Sequence, residues 1–262
     1  VAGEAHAFTL EGTGIWSRDL RYGDPAEAAA AAAEIEELGY SAVWLPDVGG
    51  NDLFESLSNL LAATERLVAA AGVLNVWLHS AEAAASGHAT ARSLYGRRLL
   101  PGFGVGHAPF VDRVVKPGTY RHPIASMRRF LEQIDSSVPP VPASDRVLAA
   151  LGPKMLSLAR TGAAGTHSFL RTPQHTRIGR DALGPGALVA PEQTVVLERD
   201  ASAGRALVCS HLAPYLRNYS ENWKRLGFTD ADFEEGGSDR LVNAIVAVGD
   251  EAKIAERIQG TS

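Results

Sequence analysis

Short, almost wholly apolar runs alternate with helical segments along this chain, and that alternation limits its fold more than any other feature. SAVWLPD (Ser41–Asp47), VAAAGVLNVW (Val68–Trp77), LLPGFGVG, RVLAAL, GTHSFLR and ALVAPEQTVVLE read as strands. None keeps one polar face, so each is buried on both sides, as in a parallel sheet whose crossover helices cover it above and below. Between them, DPAEAAAAAAEIEELGY opens with Asp24 as N-cap and Pro25 in the first turn, and stops at Gly39. NDLFESLSNLLAATERL (Asn51–Leu67) puts Leu53, Leu57, Leu60 and Leu61 on one helical face. SAEAAASGHATARSLYG, PIASMRRFLEQID, GPKMLSLART and TPQHTRIGRDAL read as further helices. With TGIWS (Thr13–Ser17) as the first, seven strands are expected. Sequence alone leaves an open sheet and a closed barrel both standing. Length and strand count favour an eight-stranded barrel, whose site loops follow the C-terminal strand ends.

Two segments exceed ordinary connections within what reads as a single domain over residues 1–262. Ala108–His122 is expected to be a long loop and a candidate lid. Residues 209–237 read as a helical insertion carrying Tyr215, Tyr219 and Trp223 at spacings of four, a stripe that suits core packing or a subunit contact better than a substrate box.

Charge excludes some classes of partner. The net charge is −5 with both signs interspersed, which gives no basic stripe for nucleic acid. Cys209 stands alone, so no internal disulfide forms and a reducing cytoplasm is expected. No apolar run approaches the roughly 18–20 residues of a membrane span, and the first residues lack a signal-peptide pattern. The expectation is a soluble cytoplasmic protein with no membrane or nucleic-acid partner.

LLPGFGVGHAP (Leu99–Pro109) places glycine at 102, 104 and 106. Glycine weakens a strand, so three at alternate positions imply that something approaches the backbone closely. A dinucleotide fingerprint fails on spacing and on the proline that follows, and a Walker loop fails for want of Gly-Lys-Ser/Thr. Two readings remain: neighbouring strands that demand small residues, or a flat ring lying on the strand. RVLAALGPKMLSLAR adds a strand that runs through Gly152 and Pro153 straight into a helix. Such a helix start offers amides and a dipole to an anion, and Lys154 adds charge, although a well-made turn would look the same. Together the two features describe a phosphorylated flat cofactor.

The ordered set TGIWS, LGYSAVWLPD, LVAAAGVLNVW, GRRLLPGFGVGHAP, LGPKMLSLAR and LGPGALVAPEQTVVL resembles the bacterial luciferase-like oxidoreductases. It is most similar to the actinobacterial branch assigned the deazaflavin coenzyme F420. The resemblance implies a (β/α)8 TIM-type barrel, usually dimeric, with the cofactor ring over the C-terminal strand ends. It implies ring contacts from Gly104, Val105 and Gly106, with Val73, Leu74 and Asn75 behind the central ring. It implies a phosphate at Gly152, Pro153, Lys154 and Met155, and a non-proline cis peptide at Gly72–Val73. Two departures stand out. Alcohol dehydrogenases of this family carry a histidine directly after the strand-two aspartate as general base, whereas Asp47 is followed here by Val48. The final GDEAKIAERIQGTS reads as a helix that stops where the family continues, so the eighth strand is expected to be absent from this chain.

Hydride transfer asks of the protein orientation and one proton donor or acceptor. His107, His79 and Asp47 are the catalytic candidates, Asp47 also as a ring contact. His167 and Ser168 are candidate cofactor contacts, with buried hydrogen-bonded polar residues as the plainer reading. Trp16 and Trp44 suit packing. No metal site is expected, because one cysteine and no suitably spaced histidine pair are present; no Gly-x-Ser-x-Gly elbow is present either. The expected function is hydride transfer between F420 and a small organic substrate. The alternatives are an FMN-dependent luciferase-like monooxygenase and a non-catalytic flavin-binding protein. A homodimer is expected, through Ala28–Ala33 or the Asn51–Leu67 helix.

Overall fold

In the computed structural model, which describes residues 8–260, β1 (Gly14–Trp16) leads through the one-turn helix α1 (Asp19–Tyr22) into α2 (Pro25–Glu37). Asp24 caps α2 by accepting from the amides of Ala26 at 2.8 Å and Glu27 at 3.1 Å. The wholly buried β2 (Ala42–Leu45) follows, then α3 (Leu53–Ala62), capped by Asp52 and burying the predicted face Leu53, Leu57, Leu60 and Leu61. This helix stops short of Leu67 because the Glu36 carboxylate takes the amides of Glu65, Arg66 and Leu67 and turns the chain into β3 (Val68–Ala71). After a cis peptide at Gly72–Val73, the position the resemblance implied, β4 (Leu74–Asn75) and α4 (Ala81–Tyr95) follow. The glycine strand is divided at Pro101, which has no N–H to donate, into β5 (Leu99–Leu100) and β6 (Gly102–Gly104).

The expected lid loop is a loop only in part. It begins with α5 (Ala108–Val114), which Pro109 initiates in the first turn, before α6 (Pro123–Asp135). Next come β7 (Val147–Leu148), α7 (Pro153–Gly162), β8 (Gly165–Ser168), α8 (Pro173–Leu183) and β9 (Leu188–Pro191). The last predicted strand is broken, and its second half forms β10 (Thr194–Leu197). The insertion is longer than predicted: α9 (Ala201–Leu212) starts at an Asp200 cap and is followed by α10 (Leu216–Arg225) and α11 (Asp239–Ile245). β11 (Val246–Gly249) was not predicted. It precedes the expected terminal helix α12 (Glu251–Gln259).

The ladders run β1-β2-β3-β5, β4-β6-β7-β8-β9 and β10-β11. Pairs β1/β2, β2/β3, β3/β5, β4/β6, β6/β7 and β7/β8 are parallel, as the apolar runs require. Because β3 continues into β4 and β5 into β6, the first two ladders share two strands, the succession of a β/α barrel. Among the described residues β1 has β2 as its only strand neighbour, so they do not close the ring.

Two compact units are distinguishable: Val1–His167 with Leu183–Ala190, and Ser168–Ala182 with Pro191–Ser262. In the first, Phe8, Ala42, Trp44, Ala70, Leu100, Val147 and Ala164 form a core cluster drawn largely from successive strands. Burying one large apolar side chain of this kind contributes about 1.5–3 kcal/mol. In the second, β10 and β11 pair in parallel from Thr194↔Val246 to Leu197↔Gly249. Of the predicted aromatic stripe, Tyr219 and Trp223 are core there and Tyr215 is half-buried. Trp223 is 0% exposed and lies 5.6 Å from Tyr219 and 5.9 Å from Phe233 between ring centroids.

Candidate functional site

Parallel strands all end on one side, and residues far apart in sequence meet at those ends. Asp47 lies just beyond β2 and is 8% exposed. Its Oδ2 is 2.8 Å from His79 Nε2 and accepts from the Asn75 amide at 3.0 Å. Burial alone would raise this carboxyl, yet the His79 hydrogen bond, the Asn75 amide and the imidazole's charge together hold it below its usual value. Asp47 is therefore a carboxylate at neutral pH. Neutral His79 then carries its proton on Nε2, which donates to Asp47, and Nδ1 is the nitrogen available for proton exchange. The His79 side chain is 22% exposed. Asn75 is buried, accepts from the Trp77 amide through Oδ1, and pairs in register with Gly104.

The glycines of β6 answer to this chain's own side chains. A Cβ on Gly104 would lie 2.4 Å from Val73 Cγ2, and one on Gly102 would lie 2.3 Å from the Ala71 carbonyl oxygen. Gly106 has φ +59° and would put a Cβ 2.7 Å from Asn75 Nδ2. The close approach read from the sequence is real, but the neighbouring strand makes it. Packing between neighbouring strands, one of the two readings of the sequence, accounts for the space on the Cβ side of these glycines. Beyond β6, the Val105 carbonyl accepts from Trp77 Nε1 at 2.8 Å, and Tyr120 lies 5.7 Å from Trp77. His107 is the N-cap of α5, where burial pushes its imidazole below the usual value and favours the neutral form.

At the next strand, Gly152 is the N-cap of α7, Pro153 opens its first turn and Met155 is buried. Lys154 is exposed and lines a surface groove with Arg128 and His122 at the start of α6. Cationic side chains beside a helix N-terminus suit a phosphate. His167 serves the core: it stacks on Trp44 at 4.1 Å and its Nδ1 lies 3.0 Å from the Ala190 carbonyl. Its Nε2 would be 2.9 Å from a Cβ on Gly72, whose carbonyl accepts from Trp16 Nε1. Ser168 is buried and its carbonyl accepts from the Glu192 amide.

The model of one protein family, the luciferase-like monooxygenases, matches residues 6–261. This chain belongs to the luciferase-like monooxygenase family. No curated protein matches it by sequence. Among solved structures, the luciferase-like chain is similar to a coenzyme F420-dependent tetrahydromethanopterin reductase from Methanopyrus kandleri. That match has 16% identity and a TM-score of 0.72, over 98% of this chain and 90% of the reductase. An F420-dependent secondary alcohol dehydrogenase, in complex with an F420-acetone adduct, matches at 13% identity and a TM-score of 0.73, over 97% and 90%. The oxygenating constituent of 3,6-diketocamphane monooxygenase from Pseudomonas putida, in complex with FMN, matches at 14% identity and 0.65, over 97% and 88%. Identities this low establish the shared fold alone.

Sequence reasoning on this luciferase-like chain missed two ionisable residues of the second unit, the buried Arg171 and the half-buried Glu192. Burial pushes the Glu192 carboxyl up, against the Thr194 hydroxyl, the Leu170 amide and the charge of Arg171. The available signal was an arginine directly ending the apolar run GTHSFLR.

Proposed function

We propose that this luciferase-like chain is an oxidoreductase that transfers a hydride between coenzyme F420 and a small organic substrate, with His79 moving the accompanying proton. The Asp47–His79 pair carries this reading. Val48 occupies the position where related alcohol dehydrogenases place their base, yet an imidazole reaches Asp47 from beyond β4. When bound, the deazaflavin supplies the carbon that accepts or gives the hydride. Lys154, Arg128 and the first turn of α7 would hold its phosphate, and their donor chemistry fits that group. Asp47 keeps the His79 imidazole oriented. In the oxidative direction the substrate loses a hydride from carbon and a proton to His79 Nδ1; in the reductive direction both return.

Titration with F420 and with FMN, followed by fluorescence quenching and then by turnover, tests the proposal. Saturable quenching by F420, with reduction or oxidation of an added substrate, is the expected result. Binding of FMN alone with oxygen-dependent turnover would replace this reading with a monooxygenase, and tight binding without turnover would replace it with a flavin-binding protein.

A further inference from the structure

The second unit contains a buried cation whose hydrogen-bonding capacity is unused. Arg171, between β8 and α8, is 2% exposed, and its Nε, Nη1 and Nη2 are all buried with no hydrogen-bond partner among the described residues. Buried polar groups are otherwise satisfied almost without exception, and a guanidinium carries five N–H donors in a planar fork. Burial draws this group down to about 10, opposed by the charge of Glu192, so it stays cationic at neutral pH.

The backbone that presents it is held in an uncommon shape. Leu170 has φ +50°, a left-handed conformation that a leucine rarely adopts. Both of its backbone polar groups are clamped: the amide donates to Glu192 Oε2 at 3.1 Å and the carbonyl accepts from Trp223 Nε1 at 3.3 Å. Glu192 Oε1 accepts from the Thr194 hydroxyl at 2.8 Å. Each Glu192 oxygen is thus engaged elsewhere, and none of the Arg171 donors is filled by it. Asn222 precedes the tryptophan that grips Leu170; it is 4% exposed, and its Nδ2 is a second buried donor with no partner among the described residues. A clamped left-handed residue directly preceding a buried fork of unfilled donors is the observation from which a ligand is inferred.

We propose that Arg171 is an oxyanion receptor, taking a carboxylate or phosphate group of a small ligand on the fork of its guanidinium. The group belongs either to the substrate or to the cofactor, and the recognition chemistry is the same for both. This inference stands apart from which cofactor the chain uses.

Inorganic phosphate and succinate are the probes, added to the whole protein while its melting temperature and binding heat are followed. Sodium chloride at matched ionic strength is the control. A saturable rise in melting temperature with at least one probe, absent with chloride, is expected for the wild type. Arg171→Met should keep the far-ultraviolet circular dichroism and weaken that probe at least tenfold. Should the methionine variant fail to fold, Arg171→Lys keeps the charge but loses the fork, and a severalfold weaker response is expected from it. Equal responses in wild type and variants would overturn the proposal. So would no response in the wild type together with full recovery of the melting temperature in Arg171→Met/Glu192→Gln, the behaviour of a merely structural charge pair. Saturating the protein beforehand with F420 or FMN separates the sources: loss of the part of the response that Arg171→Met abolishes assigns the site to an anionic group of the cofactor, and its retention assigns the site to the substrate's.

Discussion

His79 Nε2 sits 2.8 Å from Asp47 Oδ2, joining two residues 32 positions apart at the ends of β2 and β4. The carboxylate is buried and the imidazole is partly open. His79→Gln should lower turnover by roughly 10²-fold or more, the range for loss of a positioned acid or base, while leaving cofactor affinity within about twofold. Steady-state kinetics beside a binding titration checks this. Unchanged turnover would remove His79 from the chemistry.

Asp47 also links stability to pH. Its carboxyl is held below the usual value in the folded state, so its contribution is fully present above the unfolded carboxyl value and is lost as pH falls through the folded one. Urea unfolding from neutral pH down to about pH 3 should show a steeper acid loss for the wild type than for Asp47→Asn. Parallel curves would mean that the hydrogen bonds to Asp47 add nothing to folding.

Gly104→Ala should destabilise the protein by about 1–3 kcal/mol, because its methyl meets Val73 Cγ2 at 2.4 Å. Val73→Ala in the same chain should recover part of that loss, since it removes the clashing carbon. Denaturant midpoints of the two single variants and the double variant form the test. A stable Gly104→Ala with impaired cofactor binding would instead restore the space to a ligand.

Lys154→Glu should weaken cofactor binding more than tenfold, a change of at least about 1.4 kcal/mol. The substitution replaces an attractive charge by a repulsive one beside the start of α7. Unaltered affinity would move the phosphate away from this turn.

We propose a dimer through α2 or α3. Within Ala28–Ala33, Ala28 and Ala32 are buried in the chain's own core while Ala30 is exposed, and a small side chain there permits a close helix approach. Light scattering at tens of micromolar should report twice the chain mass, and Ala30→Arg should halve it if α2 forms the contact. A monodisperse monomer for the wild type would exclude both surfaces.

The helices were legible because their signals are local. Asp24, Asp52 and Ser80 cap where a short polar side chain precedes an apolar period, and Gly39 and Gly96 stop helices by adopting positive φ. Parallel strands were legible from residues apolar on both faces, and the turn at Gly152–Pro153 from the chemistry of a helix start. The cis bond at Gly72–Val73 came from family resemblance. Nothing local announces it.

What only the tertiary structure decided depends on neighbours far away in sequence. The reason for Gly104 is the side chain of Val73 across a ladder, and glycine in a strand looks the same whether a ring or a valine approaches it. β11 is a strand because β10 supplies its pairing partners, while its sequence VAVG follows a helix without a break. Leu170 takes a left-handed backbone because Glu192 and Trp223 hold its amide and carbonyl, an arrangement its own propensity opposes. Asp47 and His79 are unrelated candidates in the sequence, and parallel pairing of β2 with β3, running on into β4, made them one pair. Periodicity and caps state which element a residue joins; which side chains meet at the strand ends is settled by register, and register is a property of the folded sheet.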